Sequence, residues 1–198
     1  DKSGTAFAMN GGSIVVDDLG IFDSLGGGTV RYTGTSTDMI GNINITVNYP
    51  GVFDINGKTD ATTGTLTIQG GTFQDSAAIG GSFQSNALTM TGGLLDSGTG
   101  SFKLNGTFTY NVGLSGAGPT TISGNLDLNG AARSFVINDG REVNDVVITA
   151  IISNGGVTKT NVAGPLLLDP TGGPNTFAGG TILQGGILTL GSKDALGA

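Results

Sequence analysis

Short runs in which apolar and polar residues alternate recur from one end of the 198-residue chain to the other. Five share one seven-residue template: "GTVRYTG" (28–34), "GVFDING" (51–57), "GTLTIQG" (64–70), "GSFKLNG" (100–106) and "GNLDLNG" (124–130). In each, the third and fifth residues are apolar or aromatic and, at the strand period of two, share a face. Leu66 and Ile68 are one such pair, with Thr67 between them pointing the other way. The bounding glycines supply the positive φ or the close backbone approach that a tight corner needs, and the Asn before several of them is the next most tolerant residue. Between these units lie shorter strand candidates, "GTFQDS" (71–76), "GSFQSN" (81–86) and "NALTMTG" (86–92), so a corner falls about every eight to twelve residues.

That rhythm suits a sandwich, a barrel or a solenoid. Sandwiches and barrels want longer strands, aromatic cross-strand pairs and hairpin turns, whereas here one inward-apolar, outward-polar triplet is reused at variable intervals. The pattern therefore predicts an all-β solenoid with about three short strands per coil and coils of roughly 20 to 25 residues. Stacking at about 4.8 Å would set like side chains on like and pair each coil with its neighbours, leaving two sheet edges that need a cap, a continuation or an axial partner. The run "VNDVVITAIISNGG" (143–156) breaks the alternation. It reads as a strand buried on both faces or two strands at a coil corner, with a short amphipathic helix as the competing reading.

Composition sharpens this picture. There are 38 glycines and only 12% charged residues, against typical values near 7% and about 25%. Glycine disfavours helix by about 1 kcal/mol per residue, and the Thr, Asn, Val and Ile around it are weak helix formers. The net charge of −7 and the singly scattered eight basic residues speak against nucleic acid and against an anionic membrane surface. With no Cys and no His, disulfides and thiolate or imidazole metal sites are excluded. No apolar run of membrane-spanning length and no signal-peptide pattern is present, so a mature form or a segment of a longer protein is expected.

The C-terminal third carries a more specific pattern. "GGVTKT" (155–160), "GPLLLD" (164–169), "NTFAGGTILQGGILTLGS" (175–192) and "ALG" (195–197) follow one another in order, preceded by "NLDLNGAARSFVINDG" (125–140). This succession resembles the autotransporter-associated β-strand repeat, also called the passenger-associated transport repeat, over residues 125–198. "NVAGP" (161–165), Phe177 in place of Tyr and the longer turn "DPTGGP" (169–174) depart from the family pattern. The resemblance implies a right-handed parallel β-helix exported by bacteria as a passenger or stalk region. The whole chain, 1–198, then reads as a single solenoid domain, with irregular coils over 1–124 and family-like coils over 125–198.

Candidate chemistry is sparse. Asp17-Asp18 is the only adjacent carboxylate pair, and paired carboxylates can act on glycosidic bonds, but the Asn-Thr-Asp, Gly-His-Gly and Arg-x-Lys motifs of solenoid polygalacturonases are missing. The pair reads more simply as a solvated turn. Asp139, Glu142 and Asp145 could surround one calcium ion, although Arg141 sits among them and neither the EF-hand nor the β-roll calcium spacing occurs, so a plain acidic loop is expected. No phosphate-binding loop is present, and Ser192-Lys193 reads as a surface turn rather than a Ser-Lys dyad. "TLT" (65–67) and "TFT" (107–109) resemble the flat threonine arrays of ice-binding solenoids but look too scattered along the sequence to form a register.

The expected function is structural: an extracellular or cell-surface stalk, spacer or filament module without catalysis, associating axially with itself or continuing at its terminal coils. The alternative is an adhesin binding surface glycans through loops such as 169–175 and exposed rings among Tyr32, Tyr49 and Tyr110. A polysaccharide-processing enzyme ranks third. No cofactor, no catalytic residue, no nucleic-acid partner and no membrane insertion is expected.

Overall fold

The computed structural model describes residues 11–17, 27–35, 37, 39–113, 119–160 and 163–197. The chain is all-β, without helix among these residues, and winds as a solenoid of about 7 turns. Its strands are β1 (Ser13–Val16), β2 (Thr29–Arg31), β3 (Asn44–Asn48), β4 (Val52–Asp54), β5 (Thr59–Ala61), β6 (Thr65–Gln69), β7 (Thr72–Gln74), β8 (Ser82–Ser85), β9 (Ala87–Met90) and β10 (Leu94–Asp96). They continue as β11 (Ser101–Leu104), β12 (Phe108–Tyr110), β13 (Thr120–Ser123), β14 (Asn125–Ile137), β15 (Val146–Ile148), β16 (Ile151–Lys159), β17 (Leu166–Leu168), β18 (Thr181–Leu183) and β19 (Leu188–Leu190).

Three parallel faces result. Face A stacks β1, β3, β6, β9, β12, the C-terminal parts of β14 and β16, and β18. Face B stacks β2, β4, β7, β10, β13, β15, β17 and β19. Face C stacks β5, β8, β11 and the N-terminal parts of β14 and β16. Strands β14 and β16 each turn the corner from face C to face A without interrupting their pairing, except for a register shift between Asp127 and Ala131.

The seven-residue units recur on all three faces, and their third and fifth residues point inward as the alternation predicts. Phe53, Ile55, Leu66, Ile68, Phe102, Leu104, Leu126 and Leu128 are buried. Pairing puts like on like: Ile14, Ile45, Leu66, Leu88, Phe108 and Phe135 form one inward column on face A. On face B the column runs Val30, Phe53, Phe73, Leu95, Ile122, Ile148 and Leu168. Where faces B and C meet inside, Phe53 stacks on Phe73 at 5.4 Å, and Phe73 lies 4.9 Å from Phe83. Each fully buried side chain of this size stabilises the fold by roughly 1.5–3 kcal/mol.

Corners hold the coils together by polar ladders. At the corner from face C to face A, Asn105 Nδ2 donates to Asn86 Oδ1 (3.1 Å), Asn129 Nδ2 to Asn105 Oδ1 (3.1 Å) and Asn154 Nδ2 to Asp127 Oδ1 (3.0 Å). Asn129 and Asn154 take positive φ, the conformation for which Asn is suited. At another corner a Cβ on Gly80 would strike the backbone of Gly100 in the adjoining coil, so only glycine allows that approach.

Two sequence readings are decided differently from their simplest form. Residues 143–156 are no helix: they build β15 and the start of β16, separated by Thr149 and Ala150, which is the corner reading. The Thr-x-Thr segments, judged too scattered to align, are in register. Thr46 pairs with Thr67, Thr67 with Thr89 and Thr89 with Thr109. The steps from Thr46 to Thr67, Thr89 and Thr109 differ by one or two residues, and because a slip of one residue exchanges the two faces of a strand, this small variation hides the register from the sequence.

Candidate functional site

The acidic candidates do not converge. Asp145 is fully buried whereas Asp139 and Glu142 are exposed, and no group of three acidic side chains among the described residues could hold a metal ion. Asp145 Oδ2 accepts the Gly140 amide at 2.9 Å; its Oδ1 is buried without a hydrogen-bond partner among the described residues. A Cβ on Gly140 would strike Asp145 Oδ1 and lie 2.8 Å from the Tyr110 hydroxyl, so the glycine leaves room for both oxygens at one internal point. Burial, followed by the charge of Asp145, raises the Tyr110 hydroxyl above its ordinary pKa. Asp17 accepts from Asn48 Nδ2 at 3.1 Å, tying two coils together, while Asp18 lies outside the described residues.

Two ionisable side chains stand at inward positions that are otherwise apolar. Lys159 follows Phe135 in the face A column and precedes Leu183. It is buried, and its Nζ donates to the Gly185 carbonyl at 3.1 Å. Burial lowers its pKa below the ordinary lysine value, with Asp145 acting in the opposite sense. Asp60 precedes Phe83 in the face C column and accepts the amides of Met39 (3.1 Å), Ile40 (3.2 Å) and Ala61 (2.8 Å). Burial raises its pKa against the lowering influence of Tyr32 and those amides. Tyr32, buried beside it, is likewise raised, by burial first and then by the Asp60 charge.

Asp54 has the opposite character. Its Oδ2 lies 2.9 Å from Arg31 Nε and accepts Ser76 Oγ at 2.7 Å, while Oδ1 accepts the Asn56 and Ser76 amides. Burial alone would raise its pKa, but hydrogen bonds from Ser76, Asn56 and Gln74 outweigh it and hold the carboxyl below its usual value. These contacts make Asp54 a coil-to-coil clamp.

The remaining candidates are equally structural in their contacts. Lys193 Nζ pairs with both oxygens of Asp194, at 2.8 and 2.9 Å, rather than with Ser192. In the 169–175 loop, Asn175 is a rung between coils: its Oδ1 accepts the Ile152 amide and its Nδ2 donates to the Ala195 carbonyl, both at 2.7 Å. Tyr32 and Tyr110 are buried, leaving Tyr49, 75% exposed, as the one exposed aromatic ring among the described residues.

Two surfaces stand out instead. The last coil leaves Ile182, Leu183, Ile187, Leu190 and Leu196 43–59% exposed, with β18 and β19 as open edges of their sheets. The other is the outer surface of face A, where the threonine register lies. Sequence alternation marks its residues as outward, but only the pairing brings them side by side. Compared with family models, curated proteins and solved structures, the chain finds no match in any of the three.

Proposed function

We propose that this chain is a structural solenoid module of a bacterial surface or secreted protein, a stalk, spacer or filament unit that performs no catalysis and continues axially at its C-terminal coil. The observation that carries this reading is the last coil. Leu183 and Leu190 are the terminal members of the inward columns of faces A and B, and they lie half-exposed above open parallel edges. Apolar columns and unpaired edges of this kind are completed by another coil of the same cross-section. The resemblance of residues 125–198 to the autotransporter-associated repeat supports an exported, extracellular setting.

Axial contact is tested by sedimentation of the 198-residue chain and of its Leu183→Lys/Leu190→Lys variant. The expected outcome is concentration-dependent end-to-end association of the wild-type chain and a monomeric variant. A wild-type chain that stays monomeric at high concentration contradicts axial association through this coil. An adhesin role through exposed aromatic rings is the weaker reading, since Tyr49 alone of the three tyrosines faces solvent.

A further inference from the structure

The outer surface of face A has an order the other faces lack. Thr46, Thr67, Thr89 and Thr109 are direct neighbours on four consecutive coils, paired one-for-one without a bulge. The row ends on Val15 and Val136, which have the shape of threonine with a methyl in place of the hydroxyl. Two residues earlier on the same side runs a second, mixed row: Asn44, whose Oδ1 accepts the Thr65 amide, then Thr65 beside Ala87, and Thr107 just before β12. Parallel stacking fixes the grid at about 4.8 Å between coils and roughly 6.7 Å between the two rows.

Three further observations bear on what such a grid would hold. Neither row contains a charged residue, whereas outward positions of face B carry Arg31, Asp54 and Asp96 and those of face C carry Lys103 and Asp127. Among the described residues, the hydroxyls of Thr46, Thr67, Thr89 and Thr109 make no hydrogen bond within the chain, so they are available to water. Threonine is β-branched and stiff at χ1, so hydroxyl and methyl positions repeat from coil to coil with little freedom to lose.

We propose that this face is an adsorption surface for ice. A rigid grid with these two repeats holds water close to the oxygen spacing of an ice face, the hydroxyls anchoring it and the methyls between them excluding disordered water. Charged side chains, which orient water around themselves, are absent from both rows. A crystalline polysaccharide would call for exposed rings to stack on sugar faces. The grid has none, and Tyr49 sits at the corner beyond it.

The test uses the 198-residue chain and a slowly grown ice surface, measuring incorporation of protein into the ice together with inhibition of recrystallisation. Thr67→Tyr and Thr89→Tyr place bulky but strand-favouring side chains in the middle of the grid. Gln84→Tyr makes a comparable change on the outside of face C. The wild type and Gln84→Tyr are expected to enter the ice and suppress grain growth, and the two threonine variants to lose both effects with unchanged circular dichroism and melting temperature. Exclusion of the wild type from ice, or an equal loss in Gln84→Tyr, overturns the proposal. Binding to cellulose or chitin microcrystals that depends on Thr67 and Thr89, without ice binding, overturns it in favour of a polysaccharide ligand.

Discussion

At the scale of single residues, the two side chains that break the apolar columns are the most informative. Asp60 and Lys159 both point inward by strand parity, near opposite ends of the stack. A lysine whose pKa is lowered in the folded state binds its proton more weakly there than in the unfolded chain, so its charge opposes folding wherever it is protonated. The penalty is largest below the folded pKa and disappears as pH rises toward the ordinary value of 10.5. Lys159→Met, which keeps the length and removes the charge, is therefore expected to raise stability by about 1–2 kcal/mol near neutral pH, a few degrees in melting temperature. Thermal melts across pH should show the gain shrinking as pH approaches 10.5. A variant less stable than wild type at every pH would show that the contacts of the ammonium outweigh its burial.

Much at this scale is legible in the sequence. The triplets Leu66-Thr67-Ile68 and Leu126-Asp127-Leu128 declare which side chains go inside. The inward lysine is less so, because charge marks a residue as outward by default and only its parity with Val157 says otherwise.

At the scale of elements, short strands of three to five residues are held by their neighbours rather than by themselves, and the aromatic overlap of the central coils supplies much of the hold. Phe73 touches Phe53 in the preceding coil and Phe83 on the adjacent face. Phe73→Ala should cost about 3–5 kcal/mol, while Phe73→Leu, which leaves a smaller void, should cost less. Urea unfolding followed by circular dichroism separates the two. Near-equal losses would mean that the central coils relax around the void.

Strand existence is written in the alternation, but strand partnership is not. Coils vary in length because their corners do, from the tight turn between Gln69 and Thr72 to the longer excursion between Gln74 and Ser82. No single period therefore aligns Thr46, Thr67, Thr89 and Thr109 together. The Asn-Gly corners at 105–106, 129–130 and 154–155 are a better guide, since they fall on one corner in successive coils, where Asn105 bonds back to Asn86, Asn129 to Asn105 and Asn154 to Asp127.

At the scale of the whole molecule, three faces make a rod whose interior is mostly apolar, interrupted by Asp60, Asp145 and Lys159, and whose coils are clamped by carboxylates such as Asp54 and Asp17. Its stability accumulates coil by coil. The ends could be anticipated from the fold class alone, because any solenoid has two edges. That the C-terminal edge carries a cluster of half-exposed Leu and Ile required the structure. Electron microscopy of the natively isolated protein tests the structural role most directly. The expected result is a rod or filament one solenoid wide in which strands continue beyond β18 and β19 at about 4.8 Å. Compact separate particles with the last coil open to solvent, or buried under a domain of another fold, would contradict it.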